Sequence, residues 1–540
     1  MLRHFLKRFF GGALPLFGVA AMVLAFCSAA VAATPVTINI NTNTPVPLTA
    51  GFSGLNAPQP KNGVEYYDPK IVAAVSQLKP GWVRFPGGTA SMAFDWNPAN
   101  PSGGHINIAW MNSLVTGDPP LVTGQPASIL TSSQQYTQAK GGVFLSDFAN
   151  FAQTLSAAAI ICFNTFTDNN AGSATQMAQA AQSLGLNVLE WEFGNEAYLY
   201  PAIYPTLGSN QANPLLYATS SYNPYYLDLM TGAPTATVGL FSAGLYTGSP
   251  QAVSNWDPQL ATYTPPYWNA GSTHIYPVTT TAPNEETMEA LNGILGYASS
   301  AYILSYLVPF VGPRTPIYVT EFNSGLPYND KFLTCLYNGI FLAEYIARLS
   351  SVPNIKAVGV HAMYSDNNDY HGMIQSVNGN TIESYLLAQL AANANYSTDT
   401  ATDPNTQFQF YVSAPGLAVA VANQAINNSS ATWTTTVGAG PTVPTSGFIG
   451  GPIPAVFAQG YAANNGSHYL LVTNKSGQGQ NISVSVNGTK VSSTMNLTYV
   501  WNNSPTIANT AQATTTLQIQ TGASSNPVFV RPYSVTFIQW

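Results

Sequence analysis

The chain has 540 residues, more than a single hydrophobic core accommodates, so a large domain with at least one further module is expected. Only 7% of the residues are charged, and 15 Lys and Arg stand against 22 Asp and Glu, which excludes a basic stripe able to grip nucleic acid or a heavily sulfated polymer. Neither the six His nor the three Cys fall at zinc spacing, so no metal or other cofactor is expected.

At the start of the chain Arg3, Lys7 and Arg8 precede an apolar run over 9–26 and the small residues Ala30, Val31 and Ala32. That is the pattern of a cleaved signal peptide covering 1–32, and it predicts a secreted or periplasmic protein that holds no membrane anchor once processed. Without that segment only Cys162 and Cys335 remain, each in an apolar run, and both read as buried free thiols. Residues 33–49 follow, and their polar and apolar residues alternate over 37–41, as in a strand.

Between 50 and 397 the chain alternates two kinds of segment. Runs of strand character cover 51–56, 81–87, 158–166, 188–196, 237–243, 272–276, 316–322 and 355–364, and helical stretches such as 68–78, 145–157, 174–184, 286–307 and 331–349 lie between them. Eight such units predict a (β/α)8 TIM barrel as the catalytic domain, with a doubly wound open sheet as the competitor. From 398 to 540 helical periodicity gives way to alternating runs rich in Thr, Val, Ser and Asn, for example 468–474, 482–486 and 528–540. These predict a C-terminal β-sandwich domain, and the strand within 33–49 is expected to pair with its sheet.

In a closed barrel of this kind the chemistry gathers at the C-terminal ends of the strands, so polar residues that close an apolar run are the candidates. Glu196 closes the fourth run in WEFGNE, and Glu321 closes the seventh in IYVTEF. The fourth and seventh strands face one another across such a barrel. Two carboxylates in unlike surroundings, one holding a proton and the other ionised, are what a retaining glycoside hydrolysis requires, at a separation of about 5–5.5 Å. Arg84, in WVRFPGG, is expected to keep Glu321 ionised, and Tyr276, in THIYP, to donate a hydrogen bond to it. The amide of Asn195 is expected to address the sugar hydroxyl beside the reacting carbon. Glu190 and Glu192 share the alternation of Glu196 but lie deeper in the barrel, and read as structural partners of Arg84.

The motifs WEFGNE, THIYP, VTEFN and VRFPGG resemble those of the clan A glycoside hydrolases, most nearly family 79, the β-glucuronidase and heparanase group, and the likeness extends over nearly all of the mature chain. This resemblance implies that Glu196 is the acid/base and Glu321 the nucleophile. It also implies that tyrosine hydroxyls and backbone amides after the seventh and eighth strands hold the substrate carboxylate, for which Tyr328, Tyr370 and Gly372 are the candidates. The scarcity of basic residues turns the expectation away from heparanase and toward exo-acting removal of terminal glucuronic acid from an oligosaccharide, polysaccharide or glucuronide. RFPGG and GNE also occur in arabinofuranosidases of the same clan, so an arabinofuranosidase or another exo-glycosidase is the alternative. From another class, the alternative is a non-catalytic carbohydrate-binding protein.

Overall fold

The computed structural model describes residues 35–56, 66, 69–88, 91, 94–96, 103–106, 143–166, 168, 172–199, 204–206, 209–243, 256–277, 285–297, 315–326, 330–364, 370–376, 410–446 and 451–540. A first strand, β1 (Val36–Pro47), precedes eight parallel barrel strands: β2 (Ser53–Leu55), β3 (Trp82–Phe85), β4 (Ala158–Phe163), β5 (Val188–Phe193), β6 (Val238–Phe241), β7 (Ala270–Ile275), β8 (Ile317–Phe322) and β9 (Ile355–Val360). These eight close on themselves, which selects the barrel over the open doubly wound sheet. Helices α1 (Pro69–Ser76), α2 (Leu145–Thr154), α3 (Ser173–Ser183), α4 (Pro214–Ser221), α5 (Glu285–Tyr297), α6 (Leu336–Ser350) and α7 (Ala414–Ile426) are among those that follow the strands.

The period of two along each strand sorts its side chains between two environments. Val83, Phe85, Ile161, Phe163, Trp191, Phe193, Val319 and Val358 join the large apolar core between barrel and helices. Their neighbours point inward, where Trp82, Ala158, Ile160, Ala270, Tyr318 and Ala357 form a separate apolar cluster. Higher up, the inward positions turn polar.

The boundary expected at 397/398 precedes the last barrel helix. Helix α7, at 414–426, lies beyond it and packs against α6, so the strand-rich module begins near Ser429. Twelve of its thirteen residues are buried. Enclosed between α6 and the C-terminal sheet, it is apolar on all sides and shows no amphipathic period to read in the sequence. Its start is capped by the Ser413 hydroxyl, which accepts from Gly416 N at 3.2 Å. At its far end Asn427 is tied to both backbone groups of Ser53 in β2, each at 2.9 Å. The helical stretch expected over 331–349 is likewise divided, into a short 3-10 turn at Lys331–Thr334 and α6 proper.

The C-terminal module is one ten-stranded sheet built from β10 (Ser429–Val437), β11 (Val456–Ala463), β12 (His468–Asn474), β13 (Gln480–Val486), β14 (Met495–Trp501), β15 (Gln520–Ser524), β16 (Val528–Val530), β17 (Ser534–Gln539), a short strand at Thr489–Lys490, and β1. β1 lies between β13, which it pairs in parallel, and β10, which it pairs antiparallel. Residues from both ends of the path meet in one core, including Val36, Ile38, Leu470, Val472, Ile482, Val528 and Ile538, so the sheet folds over as a sandwich. β12 buries both faces: Leu470 and Val472 enter that core, while Tyr469 and Leu471 join the one that holds α6 and α7.

One buried charge cluster crosses this junction. Glu344 of α6, fully buried, accepts from Lys475 Nζ at 2.6 Å, from Thr473 Oγ1 at 2.6 Å and from Arg348 Nη2 at 2.7 Å. Burial works to raise the Glu344 carboxyl, but Lys475, Arg348 and the hydroxyl hold it below the usual carboxylate range. Glu344→Ala leaves the buried Lys475 ammonium without its counter-charge and is expected to lower unfolding free energy by about 3–5 kcal/mol in denaturant titrations. A group depressed in the folded state stabilises fully above its unfolded pKa, and that contribution is lost as the pH falls through the folded one. The gap between wild type and Glu344→Gln should therefore close in acid below about pH 4, and a gap independent of pH would exclude the ionised pair.

Candidate active site

Two local departures from regular strand geometry build the site. In β8, strict alternation would send Val319 outward, Thr320 inward and Glu321 outward. Across from β7, however, Thr273 pairs with Val319 and the next residue, His274, pairs with Glu321, so Thr320 is an extra residue in the ladder. This bulge leaves Val319 and Phe322 in the outer core while both Thr320 and Glu321 reach polar partners inside the barrel. In β5, Glu190 and Glu192 occupy inward positions, and the chain then turns at Gly194, at φ 74°. A Cβ on Gly194 would stand 2.9 Å from Thr165 Oγ1 and 3.1 Å from the Phe166 ring, so no larger residue fits there unshifted. Glu196, at φ 48°, also holds the left-handed region, which costs a residue with a side chain about 1–2 kcal/mol. The turn is retained by Gly194 N donating to Phe163 O at 2.9 Å and Leu199 N donating to Glu196 O at 2.8 Å.

Arg84, fully buried on β3, joins the two strands. Its Nε donates to Glu192 Oε2 at 2.7 Å, its Nη1 to Glu321 Oε1 at 2.7 Å and to Asn56 Oδ1 at 3.5 Å, and its Nη2 to Asn195 Oδ1 at 2.9 Å. Nη2 also lies 2.5 Å from Glu192 Oε2. Glu192 Oε1 accepts from Thr320 Oγ1 at 2.6 Å. Burial works against the guanidinium charge, but the two carboxylates more than restore it, so Arg84 stays protonated.

The other oxygen of Glu321 accepts from Tyr276 OH at 2.7 Å. His274 Nδ1 lies 2.9 Å from Glu196 Oε1 and 3.5 Å from Glu321 Oε2, and Tyr198 OH donates to Glu196 Oε1 at 3.1 Å. The two glutamates therefore converge on one ring nitrogen, and their facing oxygens can be no farther apart than the sum of those two distances. Burial works to raise the Glu321 carboxyl, but His274, His361, Arg84 and the Tyr276 hydroxyl together bring it down to about 2. Glu321 is thus ionised at any ordinary pH.

Below this level Glu190 departs from expectation. It takes no part in binding Arg84 and instead accepts from Ser272 Oγ at 2.7 Å, in a niche that exists because residue 239 is glycine: a Cβ there would overlap the Glu190 carboxyl. Burial, and then the neighbouring Glu192 charge, push Glu190 well above the carboxylate range, so it is a neutral acid. Cys162 and Cys335 are free and buried, and burial raises both thiols, Cys335 to about 12. Cys162 lies beneath the site, donating to Gly194 O at 3.3 Å. Among the described residues no group of three or more His, Cys, Asp or Glu is placed to hold a metal ion.

Arg84, Asn195, Glu196, Tyr276 and Glu321 thus come together in one cluster. Asn195 does so differently from expectation: its oxygen is taken by Arg84, so what it retains for a ligand is its pair of N–H donors. Tyr370 and Gly372 flank His371, whose ring lies 5.8 Å from that of His361, which in turn lies 5.9 Å from Tyr276. Tyr328 lies outside the described residues. The sequence reading passed over His274, Tyr198 and His361. The signal for His274 was present, because it stands two residues before Tyr276 on β7 and so shares its face.

No family model matches the sequence. No curated protein matches it either. Solved structures do match the fold. An α-L-arabinofuranosidase from Thermotoga maritima in complex with arabinose superposes with a TM-score of 0.61 at 13% identity, over 94% of this chain and 99% of that one. A family 51 α-L-arabinofuranosidase from Bifidobacterium longum gives 0.62 at 12% identity, over 94% and 99%. A 4-O-α-L-rhamnosyl-β-D-glucuronidase from Fusarium oxysporum gives 0.52 at 13% identity, over 93% and 100%. At such identities the likeness is one of fold, barrel and sheet module together.

Tyr276→Phe removes a donor from a charged acceptor, so the Glu321 carboxyl should become a weaker acid, with its midpoint raised by at least about one pH unit. Carbon NMR titration of glutamate-labelled protein reads this directly, and an unmoved midpoint would show that the phenol does not stabilise the anion.

Proposed function

We propose that the chain is a retaining glycoside hydrolase with Glu321 as nucleophile and Glu196 as acid/base. The observation that carries this reading is the convergence of both carboxylates on His274 Nδ1, at 2.9 and 3.5 Å. This close approach supports direct attack on a sugar carbon over the wider placement, roughly 6.5–9.5 Å between carboxyl groups, at which inverting enzymes seat a water.

In the first step Glu321 Oε attacks the anomeric carbon while the bond from that carbon to the leaving oxygen breaks. The proton of Glu196 passes to that oxygen, and a glycosyl ester forms on Glu321. In the second step water attacks the same carbon, its proton returns to Glu196, and the ester bond breaks to release Glu321 as the carboxylate. Arg84 and Tyr276 hold the nucleophile ionised and aimed, and the Asn195 N–H donors face the sugar hydroxyl beside the reacting carbon.

For the sugar, we favour a terminal arabinofuranosyl residue over the glucuronyl residue that the family 79 resemblance implies. Full-length likeness in fold to several arabinofuranosidases supports this. A glucuronide is the second reading, supported by the resemblance of the site motifs to family 79 and by the likeness in fold to a 4-O-α-L-rhamnosyl-β-D-glucuronidase.

A panel of aryl glycosides, with the anomer followed by proton NMR, tests both levels. Cleavage of the α-L-arabinofuranoside with retention is the expected result. Turnover of the β-glucuronide instead would transfer the substrate to the second reading, and an inverted product would remove the two-step mechanism. Glu196→Ala should lose about 10²–10⁴-fold in kcat/KM on substrates with poor leaving groups and far less on dinitrophenyl glycosides, which need no proton.

A further inference from the structure

Glu192 has no surface in contact with solvent and cannot touch a substrate. It nevertheless makes the closest contacts of Arg84, at 2.7 Å from Nε and 2.5 Å from Nη2, on the side of the guanidinium away from the Nη1 that serves Glu321. Its second oxygen is anchored at 2.6 Å by the hydroxyl of Thr320, the residue of the β8 bulge that immediately precedes Glu321. The neighbouring Glu190 is held by Ser272 and takes no share of the guanidinium. Arg84 is therefore divided between one carboxylate below and one above, and the lower one is fixed by the strand that carries the upper.

We propose that Glu192 is a positioning residue that sets how much of the Arg84 charge the nucleophile Glu321 receives, and so balances the two halves of the reaction. The inference rests on the retaining mechanism above. Attack consumes the charge on Glu321, so a stronger Arg84 pairing stabilises the reactant and slows glycosylation. The same pairing stabilises the carboxylate released in the second step, and therefore speeds deglycosylation. By drawing the guanidinium downward, Glu192 keeps the nucleophile reactive. Thr320 moderates this pull, because its hydroxyl takes up part of the Glu192 charge.

The two steps are separately measurable. kcat/KM on an aryl arabinofuranoside reports glycosylation, and a 2-deoxy-2-fluoro arabinofuranoside with a dinitrophenolate leaving group traps the ester, whose reactivation gives deglycosylation. Glu192→Gln keeps the shape and removes the charge, so kcat/KM should fall about tenfold while the trapped ester reactivates no more slowly than in wild type. Thr320→Val should act with the opposite sign, giving slower reactivation without a fall in kcat/KM, and it decides the matter if Glu192→Gln does not fold. Both steps falling together in Glu192→Gln, or neither changing, would mean that Glu192 only props the barrel. Should wild-type protein form no trapped ester with this probe or its glucuronide counterpart, the retaining reading itself fails. That outcome is distinct from a wild type that traps normally and a Glu192→Gln variant that leaves the two steps in unchanged proportion.

Discussion

A guanidinium with no access to water, held inside the barrel, is the constraint on which the site depends. An unpaired charge there would be prohibitively costly, so Arg84 must be surrounded by acceptors, and β5, the turn after it, β8 and the loop after β2 supply them in Glu192, Asn195, Glu321 and Asn56. The cation brings two carboxylates far apart in sequence to one point, which their mutual repulsion would otherwise oppose. With His274 and His361 it also depresses Glu321, while a third, Glu190, is pushed well above the carboxylate range by burial. Four glutamates in one barrel thus occupy different electrostatic situations: Glu192 and Glu321 are buried and paired with Arg84, Glu190 is buried without a cation partner, and Glu196 is the most exposed, at the mouth.

The layering of the interior makes this arrangement possible. Trp82, Ile160, Ala270, Tyr318 and Ala357 fill the floor with apolar volume, so water cannot reach the charged layer from below. Above the floor the inward positions carry Arg84, Glu192, Ser272 and Thr320, and only above these does the site open. The bulge in β8 connects these layers, because without its extra residue either Thr320 or Glu321 would face the helices. Outside the barrel, α6 and α7 serve two partners at once, the strands on one side and the C-terminal sheet on the other, with Glu344 and Lys475 joining the two across the seam. β1 adds a further link, since the strand that leads into the barrel lies in the middle of that sheet.

All eight barrel strands were legible in the sequence, because a strand buried on both faces is a short continuous apolar run and the Gly, Pro and Asn residues around it mark its ends. The ends of those runs pointed to Arg84, Tyr276, Glu196 and Glu321 for the same reason: a polar group closing an apolar strand is conspicuous. Helix α7 was not legible. Amphipathic period exists only where one face meets water, and APGLAVAVANQAI meets it only at Gln424. The role of His274 was also missed, although its place on β7 follows from alternation, because a lone histidine in an apolar strand carries no mark of what it will face.

The sequence by itself determined the barrel, the strand-rich module after it and which strand ends carry ionisable groups, since these follow from local periodicity and composition. Tertiary structure alone decided which of the four glutamates pair with Arg84, which is neutral and which stand together at His274. A carboxylate's state depends on the dielectric and the charges within a few ångströms of it, and most of those neighbours come from other strands, far away in the sequence. The extra residue in β8 belongs to the same category: its register is a property of the pair of strands, and neither strand's sequence contains it.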